Sequence, residues 1–205
     1  MFGDIPESDY KPLSEVCRII TDGTHQPPKF VDEGIPFLLV SNITGNVITY
    51  ETPKFITKET YDVLIKRTPI EIGDILLSTV GSYGHPASVK EERPFCFQRH
   101  IAFLKPDHIM VDSTYLHTAI LSAGVQEQIE VLVLGVAQKT LNLAAIKGIR
   151  IPVPTMDQQQ AFNHFVEQSD KSKFGGSNRN LSRCLVIPSY LREKTVLVDS
   201  ATSVC

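Results

Sequence analysis

Residues Gly135–Pro154 read "GVAQKTLNLAAIKGIRIPVP". A glycine-led polar turn runs into a short helix-like stretch, and that stretch hands over to an apolar strand bracketed by Pro152 and Pro154. Gln138, Lys139, Thr140 and Asn142 sit close together in the turn, and no recognisable catalyst stands among them. Between them they donate and accept hydrogen bonds in several directions. Two roles are open to such a cluster: it reads a ligand, or it caps the following helix and packs the domain.

Outward from this junction, strands and helices alternate irregularly. "IPFLLVSNI" (35–43) reads as a buried strand ending in polar Ser41 and Asn42, and "TGNVITYETPKFI" as a turn and an edge strand. "TKETYDVLIKR" (57–67) predicts a helix with Thr57 as N-cap and Tyr61, Leu64 and Ile65 on one face. A Gly73-Asp74 turn, the strand "ILLSTV" and a Gly81/Gly84 loop follow, and "FCFQRHIAFLKP" (95–106) reads as one further strand. "DSTYLHTAILSAG" (112–124) predicts a serine-capped helix with an apolar face at Leu116, Ala119 and Ile120, closed by Gly124. "VQEQIEVLVLG" continues as a second helix. Without a regular βαβ alternation, the pattern implies a mixed α/β (α+β) domain rather than a doubly wound sheet.

Beyond "IRIPVP" the character changes. "TMDQQQAFNHFVEQSDKSKF" (155–174) places Thr155 and Gln158 at capping-box spacing, with Asp157 in the first turn. Phe162, Phe165, Val166 and Ser169 form a thin apolar stripe, which suits either pairing with another helix or folding back on the domain. After Gly175-Gly176 the tail (175–205) loses helical periodicity.

The chain has 205 residues, 42% hydrophobic and 21% charged, enough for one sizeable core and an appendage. No apolar run is long enough to span a membrane, and "MFGDIPESDYKP" carries no secretory signal pattern. Cys17, Cys96, Cys184 and Cys205 form no CxxC pair, so free thiols in a reducing cytoplasm are expected. A net charge of −3 argues against binding nucleic acid alone through bulk electrostatics.

No catalytic constellation emerges. Asp22 and His25 are too few for a metal site, and His85, His100, His108, His117 and His164 make no HxxxH or HExxH. There is no GxSxG, and the run Ser78–Gly84 lacks the GK[ST] of a phosphate loop. No Gly-x-Gly-x-x-Gly opens a helix, and Glu91, Glu92, Glu127 and Glu130 read as solvated faces. What remains is a set of polar loops at strand ends: His25, Gln26 and Lys29; Ser41 and Asn42; Ser78, Ser82, Tyr83 and His85; Gln98 and Arg99; Gln138, Lys139, Thr140 and Asn142. Amides of this kind suit adenine, Arg and Lys suit guanine, and Ser or Thr suit either. Glycines at 81, 84 and 135 let backbone approach a ligand.

The order of "IITDGTHQPP", "GIPFLLVSNI", "GDILLSTVGSYG", "GVAQKTLN" and "IRIPVPTMDQQQ" resembles that in specificity (S) subunits of type I restriction-modification systems. The resemblance covers roughly residues 13–174, and the Gly-x-x-Gln-x-x-Leu turn before "IRIPVP" and the Gln-rich helix start is its most specific part. It implies a non-catalytic subunit that reads double-stranded DNA and binds modification (methyltransferase) subunits and, through them, restriction subunits. The methyl donor and ATP would belong to those partners, with no cofactor in this chain, and the setting would be cytoplasmic. The loop residues above then become DNA-binding candidates, and Phe162, Phe165 and Val166 a partner-binding helix face.

The chain departs from the family pattern in carrying one target recognition domain where a full subunit has two. Residues 1–12 resemble the end of a preceding spacer, 13–154 the recognition domain, 155–174 a spacer helix, and 175–205 a tail without a counterpart. A half-subunit, fragment or exchangeable cassette is the expectation, able to self-associate or to pair with another S half through the helix. The alternative is a decoy that occupies the modification subunit and reads nothing.

Overall fold

Two runs without polar alternation, "ILLS" (75–78) and "IAFLKP" (101–106), lie at the centre of the molecule and are buried at every position. Such runs suit strands covered on both faces. The computed structural model describes residues 5–135 and 138–174. In chain order its strands are β1 (Tyr10–Pro12), β2 (Cys17–Asp22), β3 (Ile35–Leu38), β4 (Phe55–Ile56), β5 (Ile75–Ser78), β6 (Pro86–Ser88), β7 (Cys96–Phe97), β8 (Ile101–Pro106) and β9 (Arg150–Pro152). Its helices are α1 (Leu13–Val16), α2 (Lys58–Leu64), α3 (Ser113–Ile120), α4 (Ala123–Leu132), α5 (Leu143–Gly148) and α6 (Met156–Phe174). The mixed α+β class is as expected.

The main sheet is antiparallel in the order β2-β8-β5-β6. Successive side chains of a strand face opposite ways. Ile75, Leu77, Ala102 and Leu104 therefore meet the helices through Leu13, Val16, Leu116, Ile129 and Ile146. Leu76, Ile101 and Phe103 point the other way, onto Leu38, Phe95 and Phe97. That second face is roofed by a smaller sheet, β4-β3-β7, beyond which Tyr61 and Leu64 of α2 pack on Phe37, Ile56 and Cys96. Each such side chain contributes about 1.5–3 kcal/mol when fully buried. Cys17 and Cys96 are free and buried, and burial pushes both thiols up to about 12. Cys184 and Cys205 lie outside the described residues.

Several local expectations change. "FCFQRHIAFLKP" is two strands, because β7 pairs in parallel with β3 whereas β8 belongs to the main sheet. Gln98–His100 makes the turn between sheets, with Ile101 N–H donating to the Gln98 carbonyl at 3.1 Å. In the 44–56 segment only Phe55–Ile56 pairs as a strand. The cap of α3 is Asp112, whose carboxylate accepts from the N–H groups of Thr114 (2.8 Å) and Tyr115 (3.1 Å). Ser113 is instead the first helical residue, and Gly124 lies in the first turn of α4 rather than ending α3. Thr57 does cap α2, accepting from the Thr60 N–H.

β9 pairs with β1, Tyr10 opposite Pro152 and Pro12 opposite Arg150. Residues 10–12 are thus built into the domain that follows them. At the start of α6 the capping box is present: Thr155 Oγ1 accepts from the Gln158 N–H, and Gln158 Oε1 accepts from the Thr155 N–H. Gln159 is fully buried, accepting from Asp112 N–H at 2.8 Å and donating to the carbonyls of Met110 and Pro154. Asn163 donates to the Asp112 carboxylate at 2.6 Å.

Phe162 requires a correction. It is 6% exposed and meets Tyr115 edge to face at 5.5 Å, so it belongs to the domain's own core and offers no surface to a partner. Val166 packs against the same core, and Phe165 is 48% exposed. The side chain of Ser169 lies outside the described residues. Phe162→Ala is expected to cost about 3–5 kcal/mol in denaturant unfolding. A cost near zero would mean that the helix start is detached from the domain.

Candidate nucleic-acid interface

Because β2 and β5 both run antiparallel to β8, the C-terminal ends of the first two and the N-terminal end of the third share one end of the sheet. Asp22 lies opposite Ala102 there, and Ser78 opposite Ile101. Every chain segment that leaves this end carries one of the polar loops. Backbone hydrogen bonds join them: Thr24 N–H to Phe97 O (3.2 Å), Arg99 N–H to Thr24 O (3.1 Å) and Thr79 N–H to His100 O (3.0 Å).

The 135–142 turn is fastened to the same end. Gly135, at φ +101°, turns the chain so that Leu134 and Thr140 exchange backbone hydrogen bonds of 3.0 and 2.8 Å. Leu141 N–H then donates to Thr79 O at 2.8 Å, and Gly81 N–H to Lys139 O at 3.2 Å. A cleft results, lined by Asp22, Thr79, Arg99, His100, Gln138, Thr140 and Asn142, among others.

Its electrostatics are arranged in pairs. Asp22 holds Arg67 on one carboxylate oxygen (2.6 Å) and His25 on the other (2.8 Å). Arg99 Nε donates to His100 Nε2 at 3.3 Å, which requires a lone pair on that nitrogen. Burial, and then the Arg99 charge, hold His100 below its ordinary 6.5, so the neutral ring suits the role. At the rim Tyr83 donates to Glu130 at 2.9 Å and accepts from Lys139 at 3.1 Å. That Tyr83 contact, ahead of the Glu130 charge, raises the Lys139 pKa.

The expected residues divide by location. Arg99, Gln138, Thr140 and Asn142 line the cleft together. Asn142 also caps α5, its Oδ1 accepting from Ala145 N–H at 2.9 Å, so it holds both roles. Tyr83 and Lys139 meet at the rim, His25 lies against Asp22, and Gln98 is half-buried in the connecting turn. Gln26, Lys29, Ser41 and Ser82 are exposed outside the cleft lining.

Two residues turn inward. Ser78 is fully buried, its hydroxyl accepting from His85 N–H at 2.9 Å. Asn42 is 4% exposed, accepting from Leu39 N–H and donating to the carbonyls of Thr49 and Glu51, all at 2.9 Å. The His85 ring sits 3.3 Å from the Asn46 side chain. Thr79 belongs to the Ser78–His85 loop that the sequence reading places on this surface, whereas Asp22, Arg67 and His100 lie outside that reading. Asp22 reads in the sequence only as half of a metal pair, and Arg67 reaches the site from beyond α2, which no local pattern signals.

Comparison with known proteins gives a consistent result. Residues 7–179 match the family model described as the type I restriction modification DNA specificity domain. The chain is 29% identical over 151 residues to the type I restriction enzyme EcoBI specificity subunit of Escherichia coli, covering 74% of this chain and 32% of that protein. It is 23% identical over 175 residues to the MjaVIII specificity subunit of Methanocaldococcus jannaschii, covering 82% and 41%. The crystal structure of the HsdS subunit from Thermoanaerobacter tengcongensis shares the fold, with a TM-score of 0.56 at 17% identity over 84% of this chain and 40% of that one. The chain thus spans about a third to two fifths of the length of these relatives.

Two tests follow from the geometry. A Cβ on Gly23 would collide with the carbonyl oxygens of Phe97 and Gln98, whereas one on Gly124 meets nothing within 4 Å. Gly23→Ala is expected to lose about 1–3 kcal/mol and Gly124→Ala to gain about 0.4–1 kcal/mol, measured as opposite shifts in the denaturant midpoint. His117 Nε2 lies 3.1 Å from the carbonyls of Asn46 and Pro86, so it donates there, and burial lowers its pKa. Below its ordinary 6.5 the unfolded chain binds the proton more readily, and stability falls as pH drops toward the lowered folded value. His117→Gln, which keeps a donor, should flatten that acid-side decline in melting temperature measured against pH.

Proposed function

The chain belongs to the family of type I restriction-modification DNA specificity domains, and from that premise we propose that it reads one half-site of double-stranded DNA through the cleft described above. The observation that carries the proposal is the convergence of separate polar loops on one end of a sheet buried on both faces. Groups held on rigid strands keep the geometry that base reading requires. Arg99 offers a donor fork suited to guanine, Gln98, Gln138 and Asn142 offer amides suited to adenine, and Thr140 suits either. Lys29, Lys139 and His25 suit phosphate, which positions the protein without reading sequence.

In this reading the chain is not the catalyst. It directs modification subunits, and through them restriction subunits, to a target in the cytoplasm, and the methyl donor and ATP sit on those partners. Lys139 and Arg67 are already paired with carboxylates, and the net charge is −3, so binding by the chain alone should be weak. Much of the phosphate contact would come from the modification subunits. The described part of α6 beyond Phe162, including exposed Phe165, supports a spacer that meets a partner or a second S half. The net charge of −3 favours one rival, a decoy that occupies the modification subunit without reading DNA.

The complex with modification subunits is expected to bind a specific duplex with steep salt dependence. Arg99→Ala should cost about 1–3 kcal/mol at one base-pair position. The measurement is methylation mapping in a host carrying each form. Target choice unchanged by Arg99→Ala and by substitutions in the Ser82–Tyr83 loop would favour the decoy.

A further inference from the structure

Among the described residues that line the cleft, Asp22 alone is acidic. A carboxylate on a DNA-facing surface repels phosphate, so its position there calls for a reason. Its side chain is 13% exposed, held by Arg67 at 2.6 Å on Oδ1 and by His25 at 2.8 Å on Oδ2. A carboxylate offers about four lone-pair sites, so each oxygen retains acceptor capacity after these contacts. The residue ends β2, and Arg67 stands three residues after the last turn of α2, so carboxylate and clamp come from separate packed elements.

We propose that Asp22 is a specificity-determining residue that accepts a hydrogen bond from the exocyclic amino group of a cytosine or adenine in the major groove. The proposal rests on the DNA-reading function above and assigns one position of the target to one side chain. An acceptor-only group matches the N4 amine of cytosine and the N6 amine of adenine. Guanine O6 and thymine O4 are themselves acceptors and would face it oxygen to oxygen. Discrimination then comes as much from repulsion of the wrong base as from attraction of the right one. Arg67 and His25 fix the direction of the carboxylate, and the Arg67 charge offsets its own, which keeps the nearby phosphates tolerable.

The test uses the full chain assembled with its modification subunits and a randomised duplex pool, with bound duplexes sequenced. The wild-type complex should select a motif with cytosine or adenine at one position, and the motif itself says which. Asp22→Ala should reduce that preference about 5- to 150-fold while the other positions hold, which also reports that the cleft is intact. Asp22→Asn, which donates as well as accepts, should admit guanine or thymine there. Arg67→Ala should keep the preference for an amino base, since the acceptor remains. An unchanged motif in both Asp22 variants overturns the assignment and leaves DNA reading standing. Loss of every position at once, or the same loss in Arg67→Ala as in Asp22→Ala, also overturns it, because Asp22 would then only hold the loops. No motif from the wild-type complex sinks the DNA-reading function itself.

Discussion

The hydrogen bond from Leu141 N–H to Thr79 O, with Thr79 N–H in turn donating to His100 O, is the constraint on which the site depends. It fastens a turn near the end of the domain to the exit of a central strand some sixty residues earlier. Loop-closure entropy opposes such a contact, and the buried sheet beneath offsets it. Without this tie, Gln138, Thr140 and Asn142 would belong to a surface loop apart from Arg99 and His100, which the turn between the two sheets holds in place. With it, the loops share one rigid floor.

The fold was legible where burial is two-sided. "ILLS" and "IAFLKP" carry apolar runs without polar alternation, which in short segments suits strands covered on both faces, and every position is buried. Capping was legible where the acceptor stands alone, as at Thr57 and Thr155. It failed at Asp112-Ser113, where two good caps are adjacent and the tertiary contacts of Gln159 and Asn163 select the first. The break at Gln98–His100 was hidden for a similar reason. Its residues have no turn chemistry of their own, and the chain bends there because its two halves pair with different sheets.

The candidate site divides along the same line. Side chains of the polar loops were legible as a class, since their chemistry is written in residue type. Their directions were not. Ser78 and Asn42 look as suited to a ligand as Thr140, yet each is consumed by backbone groups that the loops would otherwise leave unsatisfied when buried. Conversely, Asp22 gains its place only through Arg67 and His25, and the first of these arrives from another layer.

That pairing bears on how a mildly acidic chain could serve a polyanionic ligand. Affinity and reading are separable: phosphate contacts supply the first, base-edge contacts the second. Here the cations nearest the cleft are not spent as free charge. Arg67 orients a carboxylate, Lys139 is braced by Tyr83 and Glu130, and Arg99 leans on a neutral His100 that takes one of its donors. The two carboxylate pairings lower the positive field, and all three arrangements raise the directional precision of what remains. Under the proposed function, a module built this way would draw its attraction for DNA from a partner subunit, because its own charges are tied down.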